Sequence, residues 1–455
     1  MKLTYGVKDK PKFGQTLLFA FQQLLAILAA TIAVPAIVKN GMSSSAALFG
    51  AGVGTLVYLL FTKFRSPVFL GSSFAFIGSM LSAFAGTASA SLGYVGLIIG
   101  AVFAGLVYVV LAIIVKIAGV KWINKLMPAV VIGPTVSIIG LSLAGNAVGD
   151  LQKGNVLDAA NAPVASVYLC ILCGLVTLIT VIICSVFGKK MAKMIPFIIG
   201  IVAGYALAAI FTVIGDITDT AALQIINFSA FKNMQWYPDF TFIEALKGVK
   251  EINGAYIASI AVAYVPVALV VFAEHIADHK NLSSIIEQDL LEDPGLSRTL
   301  LGDGVGSMAG AFFGGCPNTT YGESVGCVAI SGNASVVTIL TTAIMAIVIS
   351  FFAPFVTFLS TIPSCVMGGV CIALYGFIAV SGLKMLQPVD LNDNRNLFVA
   401  STILITGIGG LSLTFGKVTI TTIACALILG IIVNLITNSK KEAEDCEDVV
   451  PDETK

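Results

Sequence analysis

The chain has 455 residues, 57% of them hydrophobic and only 11% charged, and its 25 basic and 25 acidic residues leave a formal net charge of zero. No water-soluble globular domain has this composition, and the zero net charge leaves no basic face for nucleic acid. Apolar runs of about 20 residues recur from end to end, each long enough to cross about 30 Å of hydrocarbon, so the chain reads as an all-α, multi-pass integral protein of the cell membrane.

The opening residues, MKLTYGVKDKPKFGQ, lack the apolar h-region and small-residue cleavage site of a signal peptide. They read as a cytosolic tail. Fourteen transmembrane segments follow, at about 14–38, 46–62, 67–84, 92–115, 124–145, 164–187, 192–214, 252–278, 299–314, 317–331, 334–354, 363–384, 396–413 and 418–437. The third, ninth and tenth are short or interrupted by glycine.

Loop charges set the orientation. With the N-terminus inside, the cytoplasmic side holds Lys2, Lys8, Lys10, Lys12, Lys63, Arg65, Lys116, Lys121, Lys125, Lys189, Lys190, Lys193, Lys280, Arg298, Lys384, Arg395, Lys440, Lys441 and Lys455. Only Lys39, Lys153, Lys232, Lys247, Lys250 and Lys417 fall outside. This bias supports an even number of spans with both termini cytoplasmic. The external segment 215–250 connects spans seven and eight. The longest cytoplasmic loop is expected from His279 to Ser297, and residues 438–455 form an acidic tail expected to be disordered.

The nine cysteines are scattered. Cys170 and Cys173 form C-x-x-C inside an apolar span, with no second pair and no nearby histidine, which reads as packing rather than metal binding. Neither a metal nor an organic cofactor is expected.

Two pairs of segments repeat. Pro128-Ala-Val-Val-Ile-Gly133 and Pro363-Ser-Cys-Val-Met-Gly368 both read P-x-x-V-x-G and both open a span. Gly71-Ser-Ser-Phe74 and Asn318-Thr-Thr-Tyr321 are both small polar residues followed by an aromatic inside a membrane segment. The offsets are similar. Two halves of seven spans have opposite topology, so residues 1–214 and 251–437 are expected to be inverted repeats, the plan of secondary transporters.

Cys316-Pro-Asn-Thr-Thr-Tyr-Gly-Glu323 is the stretch around which the rest is organised. It suits a short extended segment whose backbone groups are left unpaired. At membrane depth such backbone is tolerated only where it is buried in protein or lines a cavity, and an ionisable residue beside it marks a functional site. A surface loop with a solvated Glu is the plainer alternative. In span eight, Glu274 and Asp278 lie four residues apart on one helix face, with His275 and His279 beside them. Glu274, Asp278 and His279 are candidates for proton coupling, although each also reads as a helix-end residue reaching the cytosolic interface. His275 is expected to pack or hydrogen-bond locally. Backbone near Ser73-Phe74 and Tyr321-Gly322, aromatic faces from Phe74 and Tyr321, and acceptors from Glu274 and Glu323 describe a pocket for a small, flat, amide-like molecule such as a nucleobase. An oxyanion would be repelled by two carboxylates.

With Asn318-Thr-Thr-Tyr-Gly-Glu323, Ala273-Glu274-His275, Gly71-Ser-Ser-Phe74 and Gln22-Gln23, the chain resembles the nucleobase–ascorbate transporter family over essentially its whole length, and within it the bacterial uracil:proton symporter branch. The resemblance implies a core domain of spans 1–4 and 8–11, a gate domain of spans 5–7 and 12–14, short antiparallel strands in spans three and ten, and homodimers through the gate. It implies uracil import by proton symport, with the proton as coupling ion. Glu274 would bind the base and Glu323 would bond it or brace the strand. Phe74 and Gly322 would offer backbone groups, and Ala30, Tyr321 and Tyr375 would line the pocket. One departure is Asp278, where the uracil branch commonly has His; His279 is displaced by one residue, about 100° round the helix. Aspartate there looks more like purine-transporting relatives, which leaves xanthine or another oxopurine as the alternative substrate. Glu323, where purine transporters usually carry Gln, favours uracil. An anion transporter of the same architecture is a further alternative.

Overall fold

The computed structural model describes every residue except 1–2, 86, 120–121, 123–125, 159–161, 190, 233, 235, 416–417 and 448–455. Lys2, Lys121, Lys125, Lys190, Lys417 and Lys455, the expected start of span five and the end of the acidic tail lie outside the described residues.

Apolar runs become helices because lipid offers no partner for a backbone amide, so each must be satisfied within its segment. The first half comprises α1 (Phe13–Val38), α2 (Ser44–Phe61), β1 (Leu70–Ser72), α3 (Ile77–Phe84), α4 (Ala90–Ala118), α5 (Ala129–Ser142), α6 (Ala144–Asp150), α7 (Val167–Phe187) and α8 (Pro196–Thr218). The external segment carries α9 (Thr241–Gly248). The second half comprises α10 (Gly254–Ile286), α11 (Leu296–Gly314), β2 (Asn318–Thr320), α12 (Gly322–Ser331), α13 (Val336–Ile349), α14 (Ala353–Thr361), α15 (Ser364–Met385), α16 (Asn394–Ile408), β3 (Leu413–Phe415), β4 (Val418–Ile420) and α17 (Thr422–Glu447). Among the described residues, eight spans are long and apolar enough to cross a membrane, α5 and α6 counting as one, or up to nine if α13 and α14, bent by 83°, form another. The protein is therefore a multi-pass, mostly helical membrane protein.

Two units are visible in the packing. α1, α2, α4 and α10 to α13 pack together around β1 and β2, while α5, α7, α8, α15, α16 and α17 pack together beside them. Close approach in the first unit depends on small residues. Gly302, Gly306, Gly310 and Gly314 form a stripe along α11, and Gly50 and Gly54 of α2 lie against it. A Cβ on Gly54 would stand 2.7 Å from the Gly306 carbonyl oxygen. In the second unit, α5 and α15, which follow the two P-x-x-V-x-G motifs, pack on each other antiparallel, so that Gly133 meets Gly382 near the end of α15 while Gly368 meets Ala147 and Leu151 at the end of α6. There Ser137 Oγ donates to the Ala379 carbonyl at 2.9 Å.

Several boundaries correct the sequence reading. α10 runs on to Ile286, past the expected end at 278, because His279 and Leu282 are buried against neighbouring helices. The expected loop from His279 to Ser297 is accordingly mostly helical. Gly322, expected to be extended, opens α12 instead, with Glu323 following it in the helix; the extended backbone stops at Tyr321 (φ −109°, ψ 120°). The hairpin β3–β4, Leu413 opposite Ile420, precedes α17 where a continuous span was expected. The start of the acidic tail, expected to be disordered, continues α17 as helix to Glu447.

Candidate substrate site

β1 and β2 pair antiparallel, with Leu70 opposite Thr320, Gly71 opposite Thr319 and Ser72 opposite Asn318. The Ser73 amide adds a bond to the Pro317 carbonyl at 2.9 Å. A two-stranded ribbon of three residues has little stability of its own, so side chains from the surrounding helices hold it. Thr55 Oγ1 of α2 accepts from the Leu70 amide at 3.0 Å. Asn318 Nδ2 donates to the Gly50 carbonyl at 3.1 Å, and Tyr321 Oη to the Ser72 carbonyl at 2.9 Å. Gln23 of α1 donates to Ser324 Oγ, which also accepts from the Phe69 amide at 3.3 Å. The Tyr321 ring lies over Gly71 where a Cβ would otherwise be, so only glycine admits it.

The ribbon, α10 and the start of α12 form one wall of a cavity of about 400 Å³. α5, α8 and α15 supply the other wall through Val136, Phe197, Phe377 and Ile378, so the cavity lies between the two packing units. Glu274, Asp278 and Glu323 all face it, as do Phe74, Tyr321 and Gly322. Asp278 accepts from Thr320 Oγ1 at 2.6 Å, which ties α10 to β2. Glu323 occupies the first turn of α12. The first amides of that helix have no carbonyl one turn behind them, and the helix dipole gives this end positive character. Hydrogen-bond donors and carboxylate acceptors therefore converge on one space. Lys193, exposed at the cavity's edge, is the only basic residue lining it among those described.

Ala30, Ser73 and Tyr375, expected at the pocket, do not line this cavity. Ser73 is fully buried behind the ribbon. Ala30 and Tyr375 lie in the partition between this cavity and a second, of about 490 Å³, on the opposite side. On α15, Cys371 faces the second cavity and Ile378 the first, with Tyr375 between them. On α1, Ala33 and Ala26 stand in the same relation, with Ala30 between. Tyr375 packs edge-on against Phe74, ring centroids 5.7 Å apart. His279 is also away from the cavity: it is fully buried and bonded to Tyr58 Oη at 2.7 Å. His275 is engaged locally, with Nδ1 2.7 Å from Asp303 Oδ2.

The sequence reading overlooked Thr55 and Ser324, which look like ordinary small polar residues until the ribbon is seen. It also overlooked Asp303, although a carboxylate inside the expected ninth span was itself a signal. Among the described residues, no group of three or more His, Cys, Asp or Glu side chains is placed to hold a metal ion.

Comparison with known proteins places this geometry in context. The sequence profile of a permease family, that of the xanthine and uracil permeases, matches residues 14–416. The uracil permease of Bacillus caldolyticus is 40% identical over 98% of this chain and 97% of its own length. That of Bacillus subtilis strain 168 is 37% identical over 97% of each chain. That of Escherichia coli K12 is 34% identical over 95% of this chain and 93% of its own. Among solved structures, the transmembrane domain of the cyanobacterial bicarbonate transporter BicA superposes with a TM-score of 0.64 at 16% identity, covering 94% of this chain and 98% of that one. The murine anion transporter Slc26a9, in its inward-facing state, gives 0.64 at 11% identity over 95% of this chain and 69% of that one. At these identities the structural likeness concerns the fold alone.

Proposed function

This chain belongs to the permease family matched over residues 14–416, the nucleobase–ascorbate transporters, and is a transporter rather than an enzyme; from that premise we propose that it imports uracil by proton symport, exposing a central site alternately to each side of the membrane. The observation that carries this reading is the cavity between the two units, where Glu274, Asp278 and Glu323 face the amino end of α12. Uracil alternates N–H donors with C=O acceptors around a flat ring. The carboxylates suit the former and unpaired amides the latter, and Phe74 and Tyr321 offer aromatic surface. Three carboxylates disfavour the anion reading that the fold alone suggests. The names of the curated relatives point to uracil rather than an oxopurine.

Reciprocal packing supports fourteen spans in two inverted repeats. If the halves correspond, spans 2 and 9, 3 and 10, and 5 and 12 are equivalent pairs, and α2 packs on α11, β1 on β2 and α5 on α15. Off-axis contacts come in matched pairs as well: α1 with α13 mirrors α10 with α4, and α7 with α15 mirrors α16 with α5. In this scheme the unit around the ribbon is the core and the other the gate. The 400 Å³ cavity reaches Lys193 and Met385, which the loop-charge bias assigns to the cytosolic side, so the conformation is inward-facing. The same reading carries cytoplasmic termini, homodimers through the gate, and the proton as the only coupling species, with Glu274 and Asp278 as its candidate carriers.

Uptake of radiolabelled uracil into proteoliposomes tests it. Accumulation that requires an inward proton gradient and resists excess xanthine is the expected result. Competition by xanthine would make the site an oxopurine site, and failure to take up either base would reject the nucleobase reading.

A further inference from the structure

Behind the carboxylate stripe of α10 lies a second stripe, offset by one residue. Glu274 and Asp278 face the cavity, whereas His275 and His279, also one turn apart, face the interior of the core unit and are fully buried. These are the only two histidines in the chain, and they stack with ring centroids 4.0 Å apart. Their four ring nitrogens all have partners. His275 Nδ1 lies 2.7 Å from Asp303 Oδ2, and its Nε2 lies 3.0 Å from Thr299 Oγ1, both on α11. His279 Nδ1 donates to the His275 carbonyl at 2.8 Å, which leaves Nε2 for Tyr58 Oη at 2.7 Å. Tyr58 Oη of α2, whose proton goes to His279, also lies 2.7 Å from Ser66 Oγ. The Tyr108 ring of α4 closes the network edge-on to His275, with centroids 6.2 Å apart.

We propose that Asp303 and His275 are positioning residues for Glu274, fixing the rotation of α10 about its axis so that its carboxylates point into the cavity. The physical argument is geometric. Adjacent helix residues diverge by about 100°, so the direction of His275 sets that of Glu274. A straight helix packed only by apolar contacts can rotate or slide by small amounts at little cost. A buried imidazole bonded at both nitrogens cannot follow without leaving buried polar groups unsatisfied, which is costly. Glu274 itself lies in a cavity that must fill and empty, so its direction is best set from behind. The α11 partners are themselves held, because the glycine stripe seats α11 on α2, the helix that carries Tyr58. The inference rests on the uracil reading, since it assigns Glu274 to the substrate.

The test is equilibrium binding of radiolabelled uracil to the purified full-length protein in detergent, with thermal unfolding measured in parallel. Asp303→Ala removes the acceptor facing His275 and is expected to weaken binding at least tenfold. Asp303→Asn restores a neutral acceptor of the same shape and is expected to stay within about threefold of wild type. Thr299→Val, which loses only the hydroxyl at the other ring nitrogen, is expected to weaken binding several-fold and stands in if Asp303→Ala does not fold. Wild-type affinity in both Asp303→Ala and Thr299→Val would overturn the proposal. So would an Asp303→Asn protein that unfolds at the wild-type temperature yet binds as poorly as Asp303→Ala, because the charge rather than the position would then matter. Absence of binding by the wild-type chain would overturn the uracil reading and this proposal together; wild-type binding left intact by the variants overturns the proposal alone.

Discussion

Glu323 and Glu274 differ in setting although both face the cavity. Glu323 stands in the first turn of α12, where the helix end favours a negative charge. Glu323→Gln keeps the shape but replaces one acceptor oxygen by a donor. A hydrogen bond to a charged group contributes about 1.5–3 kcal/mol, which is roughly ten- to hundredfold in affinity. Uracil binding to Glu323→Gln is therefore expected to weaken by at least tenfold, and an unchanged dissociation constant would end that role for Glu323. Glu274 lies mid-helix on α10, one turn from Asp278. Glu274→Gln cannot exchange a proton, so gradient-driven uracil accumulation in proteoliposomes is expected to disappear. Normal accumulation by that variant would move the coupling site elsewhere, to Asp278 first.

The elements that matter most are the smallest. β1 and β2 each have three residues, and they stand because α2 was brought close enough to reach them. Thr55→Val is nearly isosteric but leaves the buried Leu70 amide without its acceptor, at a cost of about 1–3 kcal/mol. The expected outcome is a lower unfolding temperature together with weaker uracil binding; unaltered values of both would show that strand pairing alone holds the ribbon. Gly54→Ala acts one step earlier. Its added methyl group meets the Gly306 carbonyl, backbone that cannot swing aside, and overpacking of this kind costs about 1–3 kcal/mol. A fall in unfolding temperature, measured in detergent, is the expected readout.

For the whole molecule, the decisive feature is that the cavity has one wall on each unit, with a thin partition beyond it. Phe74 comes from the unit around the ribbon and Tyr375 from the other, and their rings meet edge-on between the two cavities. Rocking one unit against the other would part this contact on one side while closing the cavity on the other. Tyr375→Phe keeps the ring and is expected to transport uracil at close to the wild-type rate. Tyr375→Ala removes the second unit's half of the partition and is expected to lose most gradient-driven accumulation. Equal initial rates of uptake by the two variants would show that the ring pair is not part of the partition.

What the sequence determined by itself follows from local chemistry. Lipid leaves a backbone few choices, so apolar runs announced the helices, and breaks in those runs at Gly71–Phe74 and Asn318–Tyr321 announced where helix would fail. Carboxylates are costly in hydrocarbon, so Glu274 and Glu323 stood out, and both face the cavity. The positive-inside bias and the family signature were likewise legible from residue types in order. Tertiary structure decided what depends on direction. Asp278 and His279 are neighbours in the chain, yet one faces the cavity and the other a buried tyrosine, because about 100° of helix rotation separates them. Ala30 and Tyr375 proved to lie in the partition beside the cavity, and Thr55, Ser324 and Asp303 acquired their roles only from partners on other elements: Leu70, 15 residues on, Gln23, 301 residues back, and His275, 28 residues back. Packing alone brings such residues together, and no local pattern records which face of a helix its neighbours will take.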